Sequence, residues 1–285
     1  MAPYVVSQDV ALLLGLWAKT RGFQIPSSVF FAGWREEFTL FMKGVFPSFL
    51  SVSEEEMRGG LSTLLAEADL PVLSLDGVYV QADLSLELAR QVDRCGKDCG
   101  IRYRPGTASI LHQVRRIQRS GVREVVLADD VIFSGTLIER VCRLLGGLQI
   151  RVPIVCAGVG IGEGIEKLTG QGFDIRCVRI FEKVVDEICE RDFVPGVPQS
   201  GRALWGEDRV GVPYLFPFGD PVGWASIPPE RAESFSSFCL FHTTVLFEEI
   251  ERVSGRVVRC FDLSRFPAGL PQDDTRFVDA LRALR

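Results

Sequence analysis

The stretch VVLADDVIFSGTLIERVCRLL, Val125 to Leu145, decides the fold. It opens as a continuous apolar run, the mark of a strand buried on both faces. It then passes two adjacent aspartates, Asp129 and Asp130, and a small hydroxyl-glycine-hydroxyl step, Ser134-Gly135-Thr136. From Thr136 the apolar positions 137, 138, 141, 144, 145 and 148 recur with the period of a helix face. The stretch therefore reads as strand, tight turn, helix.

Working outward, RVPIVCAGVG is a second apolar strand, GEGIEKLTG a brief helix ending at Gly170, and FDIRCVRIF a third strand. Alternation of strand and helix between 123 and 181 predicts an open parallel α/β sheet flanked by helices. The first 70 residues read as mostly helical, with helices over 7–20 (Ser7 as N-cap) and 28–44. A third begins at Ser53, whose partner Glu56 three residues on completes a capping-box signature. Asp76-Gly77 between apolar runs is a hairpin signal. After Phe193 the chain becomes proline-rich and loop-rich, then offers a helix near 230–253, a short strand VVRCFDL and a terminal helix from about Asp273. The expected division is a helical N-terminal extension over 1–70, an α/β core over 71–194 and a C-terminal α+β subdomain over 195–285.

Composition bounds the class. The chain has 285 residues, 47% hydrophobic and 24% charged, as in ordinary soluble globular proteins. A net charge of −5 argues against wholesale coating of nucleic acid. No run approaches the roughly 18 apolar residues that a membrane span needs, and the N-terminus lacks a basic signal-peptide region. Eight scattered cysteines without a signal peptide suggest a reduced, cytoplasmic protein.

The acid pair carries the chemistry. In a parallel α/β sheet, ligands bind beyond the C-terminal ends of the strands. Two neighbouring carboxylates there repel one another and call for a partner. Sugar hydroxyls can donate to them, and magnesium can neutralise them directly or through water. Gly135 allows a tight turn, Ser134 and Thr136 supply hydroxyls, and the free N–H groups of the following helix point into the same loop. A phosphate one sugar ring away from a diol describes a 5-phosphorylated ribose. The alternative is a strand end and a helix cap without a ligand.

VVLADDVIFSGTL resembles the phosphoribosyl pyrophosphate (PRPP) motif of type I phosphoribosyltransferases, above all its orotate phosphoribosyltransferase form. The resemblance implies a type I phosphoribosyltransferase-like core. It implies that Asp129 and Asp130 hold ribose and that Phe133 (by its backbone), Ser134, Gly135, Thr136 and Leu137 hold the 5-phosphate. It further implies pentosyl transfer from PRPP to a small-molecule nitrogen acceptor such as a nucleobase, with Mg2+ at Asp129 and Asp130 through water. A non-catalytic PRPP or nucleotide sensor of the same fold is the rival reading, and a homodimer is compatible with either. Phe133 departs from the family pattern, where the position is often Thr, Ala or an acid; a phenylalanine can stack on a base or close the pocket. The family's pyrophosphate loop has no recognisable counterpart, and only by position does the Asp76-Gly77 segment stand for it.

Upstream, Arg90 to Arg123 holds nine Lys or Arg against two acids. The family carries a flexible basic loop at this place that closes over the pyrophosphate, so Arg94, Lys97 and Arg102, with Arg90 and Arg104 beside them, are candidates for stabilising the leaving group. A solvated basic loop is the plain alternative, and a metal at Cys95 and Cys99 a remoter one. CAGVGIGEG reads as tight strand-to-helix packing or, more weakly, as a dinucleotide loop. DEICERDFVPGVPQSGR reads as a functional turn or as an ion-paired structural one. Phe133, Phe216, Phe218 and Trp224 are base-stacking candidates, the last three in a loop whose aromatics can equally plug into a core.

Overall fold

The computed structural model describes residues 1–82 and 84–284. Contacts divide them into two compact units: one holds 1–51, 90–100 and 185–285, the other 52–89 and 101–184.

The second unit holds the motif. In chain order it contains α1 (Glu54–Ala68), β1 (Val72–Ser74), β2 (Leu84–Ser85), α2 (Ile110–Arg119), β3 (Glu124–Ile132), α3 (Thr136–Gly146), β4 (Arg151–Ile161), α4 (Gly162–Gly170) and β5 (Asp174–Phe181). The five strands form one sheet in the order β2-β1-β3-β4-β5, and every neighbouring pair is parallel. This is the expected open parallel sheet. Its order is that of a doubly wound fold whose topological switch point lies between β1 and β3.

One face of the sheet is sealed by α2, α3 and α4. Val125, Leu127, Val155 and Ala157 meet Val114, Ile117, Ile138, Val141, Leu145 and Leu168 in a single apolar cluster. Burial at about 25 cal/mol per Å² of apolar surface is what holds these helices to the strands. Helix α1 packs against β3, β4 and β5, where Met57 lies against Gly158 and Val178 against Gly60. As expected, Ser53 caps α1 by accepting the Glu56 N–H at 3.1 Å.

The glycine run of CAGVGIGEG is explained by packing. A Cβ on Gly158 would overlap Met57, on Gly160 Cys177, on Gly162 the Glu182 carbonyl at 2.7 Å, and on Gly164 the Phe133 carbonyl. These are close strand-to-helix, strand-to-strand and helix-to-loop contacts, and at Gly162 and Gly164 the neighbour is backbone that cannot move aside.

The other unit is built on long helices, Val10–Arg21, Ser28–Val45 and Ala232–Ser254. Its aromatic core includes Trp34 stacked on His242 at 4.1 Å and Phe41 on Phe238 at 4.2 Å. Several sequence expectations change here. Residues 4–7 form a strand, Tyr4–Ser7, which pairs in parallel with Asp186–Cys189, and the helix starts only at Val10. The reason is tertiary: Ser7 Oγ donates to Glu187 at 2.6 Å, and Asp9 pairs with Arg191 at 2.7 Å. With Arg35–Glu190 at 2.8 Å, these contacts make the DEICERDF segment an ion-paired structural turn. VVRCFDL is no strand but holds a 3-10 turn, Cys260–Asp262, and the last helix begins at Phe277.

The expected cuts near 70 and 195 also shift. Helix α1 belongs to the sheet unit because its apolar face covers the sheet, whereas 185–194 belongs with the first strand it pairs. Among the described residues no helix is long and apolar enough to cross a membrane.

Candidate functional site

Strand β3 does not stop before the aspartates. It runs through them to Ile132, with Asp129 in register with Ala157 and Val131 with Val159. The two carboxylates therefore differ in environment. Asp129 is only 7% exposed, whereas Asp130 is half-buried. Burial, then the negative charges of Asp130 and Asp76, hold the Asp129 carboxyl well above the usual carboxylate range. Asp130 Oδ1 accepts the Val131 N–H at 2.8 Å. Of the expected ribose-holding pair, Asp130 is the more accessible member and Asp129 the buried one.

After Ile132 the chain turns sharply. Gly135 adopts φ 70°, a left-handed conformation that favours glycine. Helix α3 starts at Thr136 behind Gly135, which has no side chain to cap it, so its remaining free amides face the turn. Ser134 Oγ donates to Thr136 Oγ1 at 3.1 Å, and the Thr136 N–H reaches back to Ser134 Oγ at 3.4 Å. Phe133, Ser134, Thr136 and Leu137 are all half-buried, and Gly135 is buried. A compact turn lined by amides and hydroxyls is what an anion needs.

Two features of this neighbourhood escaped the sequence reading. Lys167, on α4, donates to Thr136 Oγ1 at 3.2 Å and pairs with Glu139 at 2.9 Å. It brings a positive charge to the turn from 31 residues away. Its only sequence signal was its position in the helix after the next strand. The other feature is at the end of β1. The Asp76-Gly77 segment forms no hairpin, since β1 and β2 pair in parallel. Instead Asp76 is buried beside Asp129, across the switch point. Its carboxylate accepts the Val78 N–H at 2.9 Å and faces Arg104 at 3.5 Å. Arg104 also grips Glu87 at 2.9 Å. Burial raises the Glu87 carboxyl, Arg104 opposes that, and Asp76 adds to it. Gln113 pins this edge by accepting the Glu87 N–H at 2.7 Å and donating to the Ala108 carbonyl at 2.6 Å.

The basic segment is not an open loop. Strands Leu88–Val92 and Asp98–Tyr103 are sheet neighbours joined by a turn in which Asp93 Oδ1 accepts the Cys95 and Lys97 N–H groups at 2.8 and 3.0 Å. Arg102 is exposed at the far end of the second strand, in the sheet unit. Arg94 and Lys97 belong to the other unit. There Arg94 is 81% exposed and reaches Glu207 at 3.2 Å, and Lys97 is exposed. Phe216, Phe218 and Trp224 lie in that unit too. Trp224 is covered by the Arg202 guanidinium at 4.4 Å and packs edge-on to Tyr214. Cys95 and Cys99 are free thiols, and among the described residues no three His, Cys, Asp or Glu side chains gather to hold a metal.

No family model matches the chain, and no curated protein does. Solved structures do. It is similar to adenine phosphoribosyltransferase from Thermoanaerobacter pseudethanolicus at 11% identity, over 44% of this chain and 80% of that one, with a TM-score of 0.27. Orotate phosphoribosyltransferase from Aeropyrum pernix matches at 17% identity over 44% of this chain and 68% of that one, TM-score 0.25. UMP synthase from Leishmania donovani matches at 12% identity over 45% of this chain and 27% of that one, TM-score 0.28. These three likenesses cover 44–45% of this chain.

Proposed function

We propose that the sheet unit binds a 5-phosphorylated ribose, and that the protein transfers the 5-phosphoribosyl group from PRPP to a nitrogen acceptor such as a nucleobase. One observation carries this reading: a half-buried carboxylate, Asp130, is followed within one strand end by a glycine-turned helix start bearing two hydroxyls. Both stand beside the switch point of a parallel sheet, where such folds take ligands. Asp130, backed by Asp129, would accept hydrogen bonds from the ribose hydroxyls. The amides after Ser134, with the Ser134 and Thr136 hydroxyls, would hold the phosphate.

In the reaction the acceptor nitrogen's lone pair forms a bond to C1 of the ribose. The bond from C1 to the pyrophosphate oxygen breaks, its electron pair leaves with pyrophosphate, and the acceptor's proton passes to solvent. Positioning at both ends of the ribose supplies much of the acceleration, and carboxylates near the ring stabilise positive charge developing on it. Arg104 is the cation that the sheet unit places among the carboxylates at the strand ends; Arg102 is exposed nearby in sequence.

Magnesium fits the donor set in one manner. Mg2+ is ordinarily held by one or two carboxylates together with substrate phosphates and water. Asp129 and Asp130 offer that much, and among the described residues no larger ligand group exists. When bound, the ion would neutralise charge on the diphosphate.

A second reading is favoured by Asp76 and Glu87. They put two further carboxylates at the strand ends, where a diphosphate would call for cations, and Arg104 is already shared between them. A protein that senses PRPP or a nucleotide without turnover would keep the phosphate turn and tolerate this charge. Calorimetry with PRPP and magnesium, followed by pyrophosphate release across a panel of bases, separates the two. Release with any base supports transfer, and binding without release supports the sensor. If PRPP, ribose 5-phosphate and nucleoside monophosphates all fail to bind, both readings are wrong.

A further inference from the structure

Lys167 is the one element of the phosphate turn that does not come from the motif itself. Its ammonium stands 3.2 Å from Thr136 Oγ1, hence one hydroxyl away from any anion in the turn. It is also held by Glu139, a carboxylate in the first turn of α3. Glu139 has a second partner, Arg143, at 2.9 Å one turn further on. On its own helix Lys167 lies one turn after Glu163, and Arg140 adds positive charge near Glu139. The helix bearing Lys167 is fixed against the turn, because a Cβ at Gly164 would overlap the Phe133 carbonyl and come within 3.0 Å of the Gly135 nitrogen. The lysine is therefore anchored at its base, while its side chain is 35% exposed and its flexible stem can re-aim the ammonium.

Resting on the ribose 5-phosphate reading, we infer that Lys167 sets the site's preference for a dianionic phosphate monoester, by leaving Glu139 for the phosphate when the ligand binds. The exchange is electrostatically consistent. Glu139 keeps Arg143 as a partner, so no carboxylate is stranded when the ammonium moves. A dianion repays the lost pair better than a monoanion, since its charge is about double and the ammonium–oxygen hydrogen bond is charge-assisted. Backbone amides and hydroxyls bind either anion, whereas a movable cation already held by a carboxylate needs the larger charge to draw it away.

The test uses the full chain and two ligands of matched shape at pH 7.5: ribose 5-phosphate, close to a dianion, and ribose 5-sulfate, a monoanion. Calorimetry on wild type should show a clear preference for the phosphate. Lys167→Met should weaken ribose 5-phosphate about ten- to hundredfold, the span of one lost hydrogen bond to a charged group, and weaken the sulfate far less. Lys167→Arg should restore most of the preference, and Glu139→Gln should tighten phosphate binding a few-fold by removing the competitor. Equal weakening of both ligands in Lys167→Met, or a phosphate affinity within twofold of wild type, overturns the inference. Asp130→Asn serves as the separate control for the site. If it abolishes binding while Lys167→Met does nothing, the ribose-phosphate reading stands and the role of Lys167 falls. If wild type binds neither ligand, both fall.

Discussion

Gly164→Ala is the substitution on which local and tertiary physics disagree most sharply. Gly164 lies in α4, where alanine is the better helix former by about 1 kcal/mol. Its φ is not left-handed, so the backbone itself does not resist a side chain. The space does. A Cβ there would overlap the Phe133 carbonyl oxygen, approach Ile132 Cγ2 to 2.9 Å and the Gly135 nitrogen to 3.0 Å. Two of the three atoms are backbone of the Phe133–Thr136 turn and cannot rotate aside. Restoring ordinary contact requires helix and turn to part by roughly half an ångström or more, and overpacking of this kind costs about 1–3 kcal/mol. After subtracting the helix gain, the net effect is a loss of up to about 2 kcal/mol. The ligand should feel it more than the fold does, because a misplacement of about 1 Å can cost a hundredfold where geometry matters. Urea unfolding and ribose 5-phosphate calorimetry on the same preparation provide the readouts. Gly146→Ala, in α3 with no atom within 4 Å of the new Cβ, is the matched control and should be neutral or stabilising. A Gly164→Ala protein that is more stable than wild type and binds with unchanged affinity would refute the claim that α4 is wedged against the turn.

The remaining predictions concern both units. The adjacent glycines of α1 should respond oppositely: Gly59→Ala meets nothing within 4 Å and should stabilise by about 1 kcal/mol, while Gly60→Ala would crowd the Val178 side chain, whose Cβ lies 3.0 Å away, and should destabilise; a common sign in thermal melts would count against the packing of α1. Asp129→Asn should raise the melting temperature at pH 7 while weakening ribose 5-phosphate. The carboxyl's pKa is raised by burial, Asp130 and Asp76, so its ionised form costs stability above the unfolded value of 3.8, and the gain should vanish as the pH falls below that. His242 stacks on Trp34 and Phe238, and burial lowers its pKa from 6.5 to about 3. Between those values the unfolded chain binds a proton that the fold refuses, so stability is full above pH 6.5 and declines as the pH drops. By pH 5 the loss is about 2 kcal/mol, from 1.5 units at 1.36 kcal/mol each. His242→Phe should lack that part of the pH slope in urea titrations at pH 7.5 and 5, and identical slopes would exclude the histidine as its source.

The sequence expectations that failed share a cause. Asp76-Gly77 carries a hairpin signal, yet β1 and β2 run parallel and the segment instead delivers a carboxylate to the switch point. Ser7 reads as the N-cap of a helix over 7–20, yet Tyr4–Ser7 forms a strand because Asp186–Cys189 offers a parallel partner about 180 residues away. The basic segment reads as loose, yet its first strand, Leu88–Val92, pairs in parallel with Arg202–Leu204 far along the chain. In each case a local propensity worth about 1 kcal/mol or less was outweighed by pairing or burial that involves distant residues.

The sequence alone determined the order of strand, turn and helix through Val125–Leu145, the parallel α/β character of 123–181 and the tight turn at Ser134–Thr136, because apolar periodicity and a glycine between hydroxyls are properties of neighbours along the chain. Only the tertiary structure decided which aspartate is buried, that Asp76, Glu87 and Arg104 gather at the strand ends, and that Lys167 reaches Thr136. Parallel strands meet only after a crossover has carried the chain across the sheet. Which side chains then face one another is set by register and packing, and no short window of sequence records either.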